Sequence, residues 1–185
     1  MLKSITVTLT GADAGTAITL TELPALVADR YARTALAAIG EDDAASVSGV
    51  VALALQQLEA VRQLGARGLK LLQPFLGDAQ DIELKDWRSV RILQNAALLL
   101  HVGFLTTRQP LEIPIRVQAA MIEKGVSDIR ASFCSAQIAA VLLSGKATYR
   151  ELETVLSTED VYNIVELLNV EALRHLLATE KPPKP

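Results

Sequence analysis

The chain is poor in cysteine, histidine and aromatic residues. Its 185 residues include one cysteine and two histidines, and only 4% are aromatic. A lone cysteine, Cys134, forms no internal disulfide and excludes a zinc site built from several thiolates. His101 and His175 belong to no ligand triad with helical spacing, so we expect no metal. We predict that Cys134 is a buried small hydrophobe, that His101 lies in a core or interface, and that His175 occupies a last helical turn.

An excess of one charge is also missing. The 18 basic and 21 acidic side chains give a net charge of -3, which provides no general attraction to phosphate backbones. A helix–turn–helix occurs near the C-terminus, but its second helix begins with Ser157-Thr-Glu-Asp160, where a DNA-reading helix needs basic or amide side chains. Phosphate-loop, nucleophile-elbow and dinucleotide-binding glycine motifs are absent from the sequence. The sequence therefore predicts no nucleic-acid partner, no enzymatic activity and no cofactor.

Long hydrophobic runs are missing as well. The longest, Ala96 to Leu105, is interrupted by His101 and is about half of the roughly 20 residues that a membrane-spanning helix needs. The N-terminal MLKSITVTLTGADAG alternates threonine with apolar residues and lacks the continuous apolar segment of a signal peptide. We expect neither export nor a membrane partner.

Small aliphatic residues dominate what is present. Half of the residues are apolar, and a core with so few aromatics must be built from Ala, Leu, Val and Ile. Because Ala and Leu favour helices, the composition predicts a mainly α fold, a bundle of about six to seven helices with an N-terminal β-hairpin. The hairpin is predicted from two β-branched stretches, residues 5–9 and 16–20, on either side of a glycine-flanked loop. It either covers the helices as a lid or donates an edge to a neighbouring subunit.

Apolar periodicity and helix-start signals place the helices. They are predicted over residues 24–39, 47–61, 69–72, 84–104 and 117–123, then from Ser127 to just before Gly145, and finally as a pair starting at Thr148 and Ser157. Residues 77–80 are predicted as a surface loop. Pro110 and Pro114 predict an extended connection over residues 106–115. We therefore expect an N-terminal half (1–105), a C-terminal helical half (106–179) and a disordered tail (180–185).

The pair of helices at the C-terminus has the clearest signals. Thr148 with Glu151, and Ser157 with Asp160, have the spacing of capping boxes, in which each side chain bonds the other's backbone N–H. The apolar positions expected to line the two helices are Leu152, Val155, Leu156, Val161, Ile164, Val165 and Leu168. Of these we predict that Leu152, Val155, Ile164 and Leu168 are core residues.

Two long stretches resemble a known family. The segments ITLTELPALVADRYARTALAAIG, SGVVALALQQLEAV and DWRSVRILQNAALLLHVGFL resemble the tail assembly chaperones of long-tailed bacteriophages and prophages. The second half, from RQPLEIPI through IRASFCSAQIAAVLLSGKATYRELETVLSTEDVYNIVELLNV, is similar to a segment of the same tail-gene region. The resemblance implies a non-enzymatic protein of the bacterial host cytoplasm that binds the tape-measure protein during tube polymerisation, with the tail tube protein as a second candidate partner.

Such a partner of a long helical client is expected to form a homo-oligomer and to bind helix-in-groove. A helix that is apolar nearly all round lies in a core or at an interface, so we predict partner binding in the Leu98 to Leu105 segment and at the hairpin edge. The predicted partner-binding residues are Leu98, Leu99, Leu100, Val102, Phe104 and Leu105. Two alternatives remain open: a permanent structural or completion protein, which would place the chain in the virion tail, and a small helical regulator or adaptor.

Overall fold

The computed structural model describes residues 2–39, 73–76, 84–109, 111–115 and 131–179. Within these ranges an antiparallel hairpin precedes five α-helices, so the chain is mainly α, as predicted, with fewer helices in the described ranges than the six to seven expected. Several predictions lie outside the described residues: the helices at 47–61, 69–72 and 117–123, the loop at 77–80, Pro110, the helix start at Ser127 and the tail at 180–185.

The hairpin pairs β1 (Ser4–Thr8) with β2 (Ala17–Thr21), each within one residue of its prediction. In its register Ile5 lies opposite Leu20 and Val7 opposite Ile18. The loop turns through Gly11 and Gly15, whose φ values of 73° and 87° lie in the left-handed region that other residues rarely adopt.

One face of the hairpin packs on the helices. Leu9, Ile18 and Leu20 are at most 1% exposed and belong to an N-terminal core that also contains Phe75 and Leu93. The opposite face carries exposed threonines. The hairpin therefore covers its own helices, the first of the two alternatives, because the apolar face of a two-stranded sheet needs such support. Pairing of its edge with a neighbouring subunit stays a prediction.

Helix α1 (Ala25–Ile39) connects two cores. It contributes Ala28 and Ala32 to the N-terminal core, and Ala25 and Leu26 to a C-terminal core. The C-terminal core is completed by Cys134, Ile138, Val141, Ala147, Leu152 and Val161. Since one helix supplies both clusters, the predicted halves are joined through α1; the boundary at residue 106 stays a prediction.

Helix α2 (Trp87–Val102) begins at Trp87 and not at the predicted Leu84, because Asp86 caps it by accepting from the Arg88 backbone N–H at 2.9 Å. A 3-10 turn, Gly103–Thr106, continues the chain beyond α2. Asp13 of the hairpin loop accepts from the Lys85 N–H, the Asp86 N–H and the Ser89 hydroxyl, at 2.9, 3.0 and 2.6 Å. The Ser89 bond, and then the backbone bonds, hold the pKa of Asp13 below its usual value. The hairpin loop is thereby tied to the start of α2.

The stretch Trp87–Thr106 is, by length and composition alone, long and apolar enough to cross a membrane. In the fold, Leu93, Ala97 and His101 of this stretch are buried, and α2 contacts both strands of the hairpin. These contacts make it a packing element of the N-terminal core, and the absence of a membrane partner stays a prediction.

Helix α3 (Ala136–Leu143) begins later than predicted. Phe133 and Cys134 precede the helix, because extended backbone at Ser135 forms the N-cap position. Phe133 is 55% exposed, whereas Cys134 is buried as predicted, and burial is the main cause that raises the pKa of its thiol. Gly145, with a φ of 68°, follows the helix end as expected.

Helices α4 (Tyr149–Thr154) and α5 (Thr158–Thr179) have the predicted caps. The Thr148 hydroxyl accepts from the Glu151 N–H at 3.2 Å, while Glu151 accepts from the Thr148 N–H at 2.7 Å. The Ser157 hydroxyl accepts from the Asp160 N–H at 3.2 Å, and Asp160 accepts from the Ser157 N–H at 2.9 Å. Both capping boxes are confirmed.

The predicted core of this pair is only partly correct. Leu152 and Val161 are fully buried, and Ile164 packs half-buried against the C-terminal core. Val155 is 53% exposed, so its prediction as core was wrong: it follows the last residue of α4 in non-helical backbone, which turns its side chain off the buried face. Leu168 is half-buried and not a member of either cluster.

Replacing Ser157 by alanine is expected to lower the free energy of unfolding by about 1 kcal/mol, because the cap of α5 is lost. Denaturant unfolding measures the change. Ser135→Ala is the matched control, since the Ser135 hydroxyl sits buried at the N-cap of α3 and has no hydrogen-bond partner among the described residues. We expect Ser135→Ala to be neutral or stabilising; equal losses at both serines would contradict the capping role.

Candidate partner-binding groove

The structure divides the predicted partner-binding segment between two faces. Leu98 and Leu100 pack half-buried against the N-terminal core, so these two leucines stabilise the chain itself. Leu99 is 64% exposed and Leu105 is 40% exposed. Val102 and Phe104 are half-buried. Only part of the segment is therefore accessible to a partner.

Phe104 and Tyr162 join the end of α2 to α5. Their ring centroids are 5.5 Å apart with an interplanar angle of 64°, an edge-on arrangement that aromatic pairs prefer. The Arg108 guanidinium lies 6.0 Å from the Phe104 ring centroid and 5.7 Å from that of Tyr162. A cation near two aromatic rings adds to the attraction between these elements.

Arg108 also holds the segment after α2 against α5 by hydrogen bonds. It donates to the Asn163 side-chain oxygen at 2.9 Å and to the Tyr162 carbonyl at 3.0 Å, and it forms an ion pair with Glu166. The Arg108 side chain is 20% exposed and the Glu166 side chain is 43% exposed, so only the Arg108 side of this ion pair is shielded from solvent. These contacts fix one wall of an open groove.

We call this depression the Arg108 groove. Its volume is about 350 Å³, near the lower end of the usual range for ligand sites. The residues lining it are Leu105, Arg108, Gln109, Leu111, Gln137, Tyr162, Val165, Glu166 and Asn169. The groove is therefore formed by the segment that follows α2, one residue of α3 and one face of α5.

The lining combines apolar surface with few free polar groups. Arg108 and Glu166 neutralise each other, so the groove presents no unbalanced charge from this pair. The Gln137 side-chain oxygen is buried and accepts no hydrogen bond from the described residues. An incoming N–H donor would satisfy that oxygen, which otherwise carries a desolvation cost. The groove therefore favours a partner that inserts an apolar side chain and carries an N–H donor next to it.

The groove continues along the second half of α5. Tyr162, Val165, Asn169, Leu173 and Leu176 succeed one another at three- or four-residue intervals, so they lie on one face of the helix. Leu176 and Leu177 are 39% and 38% exposed. No side chain in the described stretch from 166 to 179 is buried. We call the residues Val170, Leu173, Leu176 and Leu177 the α5 strip. Helical spacing therefore places the α5 strip on the same side of α5 as the groove residues.

Sequence analysis identified Leu105 of this groove but missed its other residues as partner-binding ones. Arg108 had a local signal, since it is the only charged residue between Phe104 and Glu112. Its partners on α5 are more than fifty positions away, so no local pattern indicates that they meet. Leu111 is half-buried at the groove.

His101 lies outside the groove, in the N-terminal core. It is fully buried, its Nε2 accepts from the Leu23 N–H at 2.9 Å, and its Nδ1 donates to the Ala97 carbonyl at 2.8 Å. Burial lowers the pKa of His101 to about 4, which keeps the ring neutral near pH 7. The prediction of a core histidine is confirmed. His175, by contrast, is exposed on α5.

Two buried carboxylates also lie outside the groove. Glu22 is 1% exposed and accepts from the Lys3 N–H at 3.1 Å, and burial raises its pKa. Asp29 is fully buried and pairs with Arg33 at 2.9 Å. Among the described residues, no three His, Cys, Asp or Glu side chains come together to hold a metal ion.

Comparison of the chain with protein-family models, with curated proteins and with solved structures gives no match.

Proposed function

We propose that this chain is a non-enzymatic tail assembly chaperone of a long-tailed bacteriophage or prophage, which binds the tape-measure protein in the host cytoplasm while the tail tube polymerises. It would need no cofactor, membrane or nucleic acid, and it would leave before the virion is complete. The tail tube protein is a second possible partner. In this proposal the complete bundle has six to seven helices, the additional ones coming from the segments predicted as helical at 47–61 and 117–123.

The observation that carries this proposal is the uncovered apolar surface of the Arg108 groove and the α5 strip. Helix α5 has 22 residues and is about 33 Å long at 1.5 Å per residue. A tape-measure helix with apolar residues three and four positions apart would lay them along such a face, helix-in-groove. Exposed apolar surface of this kind marks an interaction site more often than a random feature of a soluble chain.

The exposed leucines around α2 provide the test. Leu105→Glu places a carboxylate at the groove wall, whereas Leu99→Glu places one on an exposed side chain that does not line the groove. Tagged chains would be captured from phage-producing cells and their partners identified by mass spectrometry. We expect the wild type and Leu99→Glu to retain the tape-measure protein, and Leu105→Glu to retain at least tenfold less because a charge must be desolvated on binding.

The thermal stability of each variant is measured in parallel. A large fall in melting temperature for Leu105→Glu would assign that leucine to the monomer core and remove it from the partner surface. If both variants lose the tape-measure protein equally, the partner binds the whole Leu98 to Leu105 segment and not the groove alone. Detection of the chain in purified particles would make it a permanent structural protein, and salt-dependent retention on DNA would favour a regulator.

A further inference from the structure

Among the described residues, no further strand pairs with the outer edge of β1. The sheet has two strands in the described part of the chain, and every residue of β1 is exposed except the half-buried Val7. We propose that β1 pairs with β1 of a second copy of this chain, giving a four-stranded sheet across a two-fold axis. This surface is separate from the Arg108 groove and the α5 strip, so the inference does not depend on the proposed function.

Every second residue of β1 directs its backbone N–H and C=O groups away from β2. The Glu22 backbone N–H donates to the Lys3 carbonyl at 2.8 Å, and the Leu9 backbone N–H donates to the Thr16 carbonyl at 2.8 Å. Since hydrogen-bonded and non-hydrogen-bonded pairs alternate in an antiparallel ladder, Lys3, Ile5, Val7 and Leu9 bond inward. The N–H and C=O groups of Ser4, Thr6 and Thr8 therefore face outward.

Ile5 shows that the apolar face is incomplete at this edge. It points to the same side as Leu9, which is 1% exposed, and lies opposite Leu20, which is fully buried, yet Ile5 itself is 41% exposed. The helices beneath the sheet thus cover the middle of the hairpin but not this outer side chain. A strand added next to β1 would cover Ile5.

Edge strands usually carry features that prevent such pairing. Charged side chains, prolines, bulges and very short strands are the common ones. The sequence of β1, SITVT, has five residues, of which four are β-branched, and it contains neither a charge nor a proline. Its register with β2 is continuous from Ser4 to Thr8, without a bulge. The sequence of β1 therefore contains none of these features, and nothing in it prevents pairing with an identical strand.

A second copy fits this edge by its own symmetry. If Thr6 lies opposite Thr6 of the partner subunit, the outward groups of Ser4, Thr6 and Thr8 form about six backbone hydrogen bonds. Ile5 then faces Val7 of the partner subunit in a close, non-hydrogen-bonded pair, which favours β-branched residues. The two copies of Lys3 lie at opposite ends of the new ladder, so no like charges meet. The area is small for an interface, so we expect a concentration-dependent dimer.

The test compares the two edges of the same hairpin. Thr6→Lys would place two ammonium groups opposite each other across the axis, whereas Thr19→Lys makes the same change on β2, directly across the hairpin. In analytical ultracentrifugation of the full chain, we expect the wild type and Thr19→Lys to rise toward twice the monomer mass with concentration. Thr6→Lys should remain monomeric, with at least a tenfold weaker self-association.

Cysteine crosslinking is a second test, and it does not require a substitution that weakens the dimer. Opposed residues of a hydrogen-bonded pair have Cα atoms about 5.5 Å apart, which suits a disulfide. Thr6→Cys should form a crosslinked dimer under mild oxidation, and Thr19→Cys should not; Cys134 is 2% exposed and does not compete. A monomeric wild type, a dimer insensitive to Thr6→Lys, or equal crosslinking from both positions would overturn the proposal.

Discussion

Replacing Phe75 by alanine is expected to lower the free energy of unfolding by about 3–5 kcal/mol, the largest effect of a single substitution in the N-terminal core. Phe75 is fully buried. Its ring lies edge-on between Tyr31 and His101, with centroid distances of 5.1 Å to each. Truncation would remove the aromatic contacts and leave a cavity between α1 and α2, and urea denaturation would measure the loss.

Phe133→Ala is the matched control, because this side chain has the same size but is 55% exposed. We expect it to change the free energy of unfolding by at most about 1 kcal/mol, as for other partly exposed sites. A similar loss for both variants would contradict the assignment of Phe75 as the centre of the core. A minor loss at Phe75 alone would mean that its neighbours collapse into the space.

Local signals allowed the successful parts of the fold to be predicted. The two capping boxes depend on residues three positions apart, and the hairpin depends on β-branched alternation around Gly11 and Gly15. Each interaction of this kind lies within a few residues, so the sequence specifies it directly. The same reasoning failed at Val155, because periodicity does not show where α4 ends, and at Phe133, because apolar spacing continues upstream of the actual start of α3.

The groove could not be predicted in the same way. Its central contact joins Arg108 to Tyr162, Asn163 and Glu166, and it exists only because α5 packs beside the end of α2. The predicted partner-binding segment includes Leu105, which is exposed at the groove, but it equally includes Leu98 and Leu100, which pack against the N-terminal core. An all-round apolar helix has both a core face and a surface face, and only tertiary packing distinguishes them.

Acidification is expected to destabilise the fold through His101. Burial lowers the pKa of His101 from 6.5 to about 4, so below pH 6.5 the unfolded chain binds the proton more readily than the folded chain. The contribution of the neutral ring to stability is therefore complete above pH 6.5 and is lost as the pH falls toward 4. The loss reaches about 3 kcal/mol, at 1.36 kcal/mol per pKa unit. A protonated Nε2 would also stop accepting from the Leu23 N–H.

Glu22, next to Leu23 in the chain, has the opposite dependence on pH. Burial raises its pKa, so its contribution to stability is present at low pH and is lost as the pH rises through the raised value. The pH dependence of the unfolding free energy therefore contains contributions from both His101 and Glu22, and a substitution is needed to separate them. The difference in unfolding free energy between the wild type and His101→Gln should shrink by about 3 kcal/mol from pH 7 to pH 4, because both chains retain Glu22. A pH-independent difference for His101→Gln would mean that the buried ring titrates normally in the folded chain.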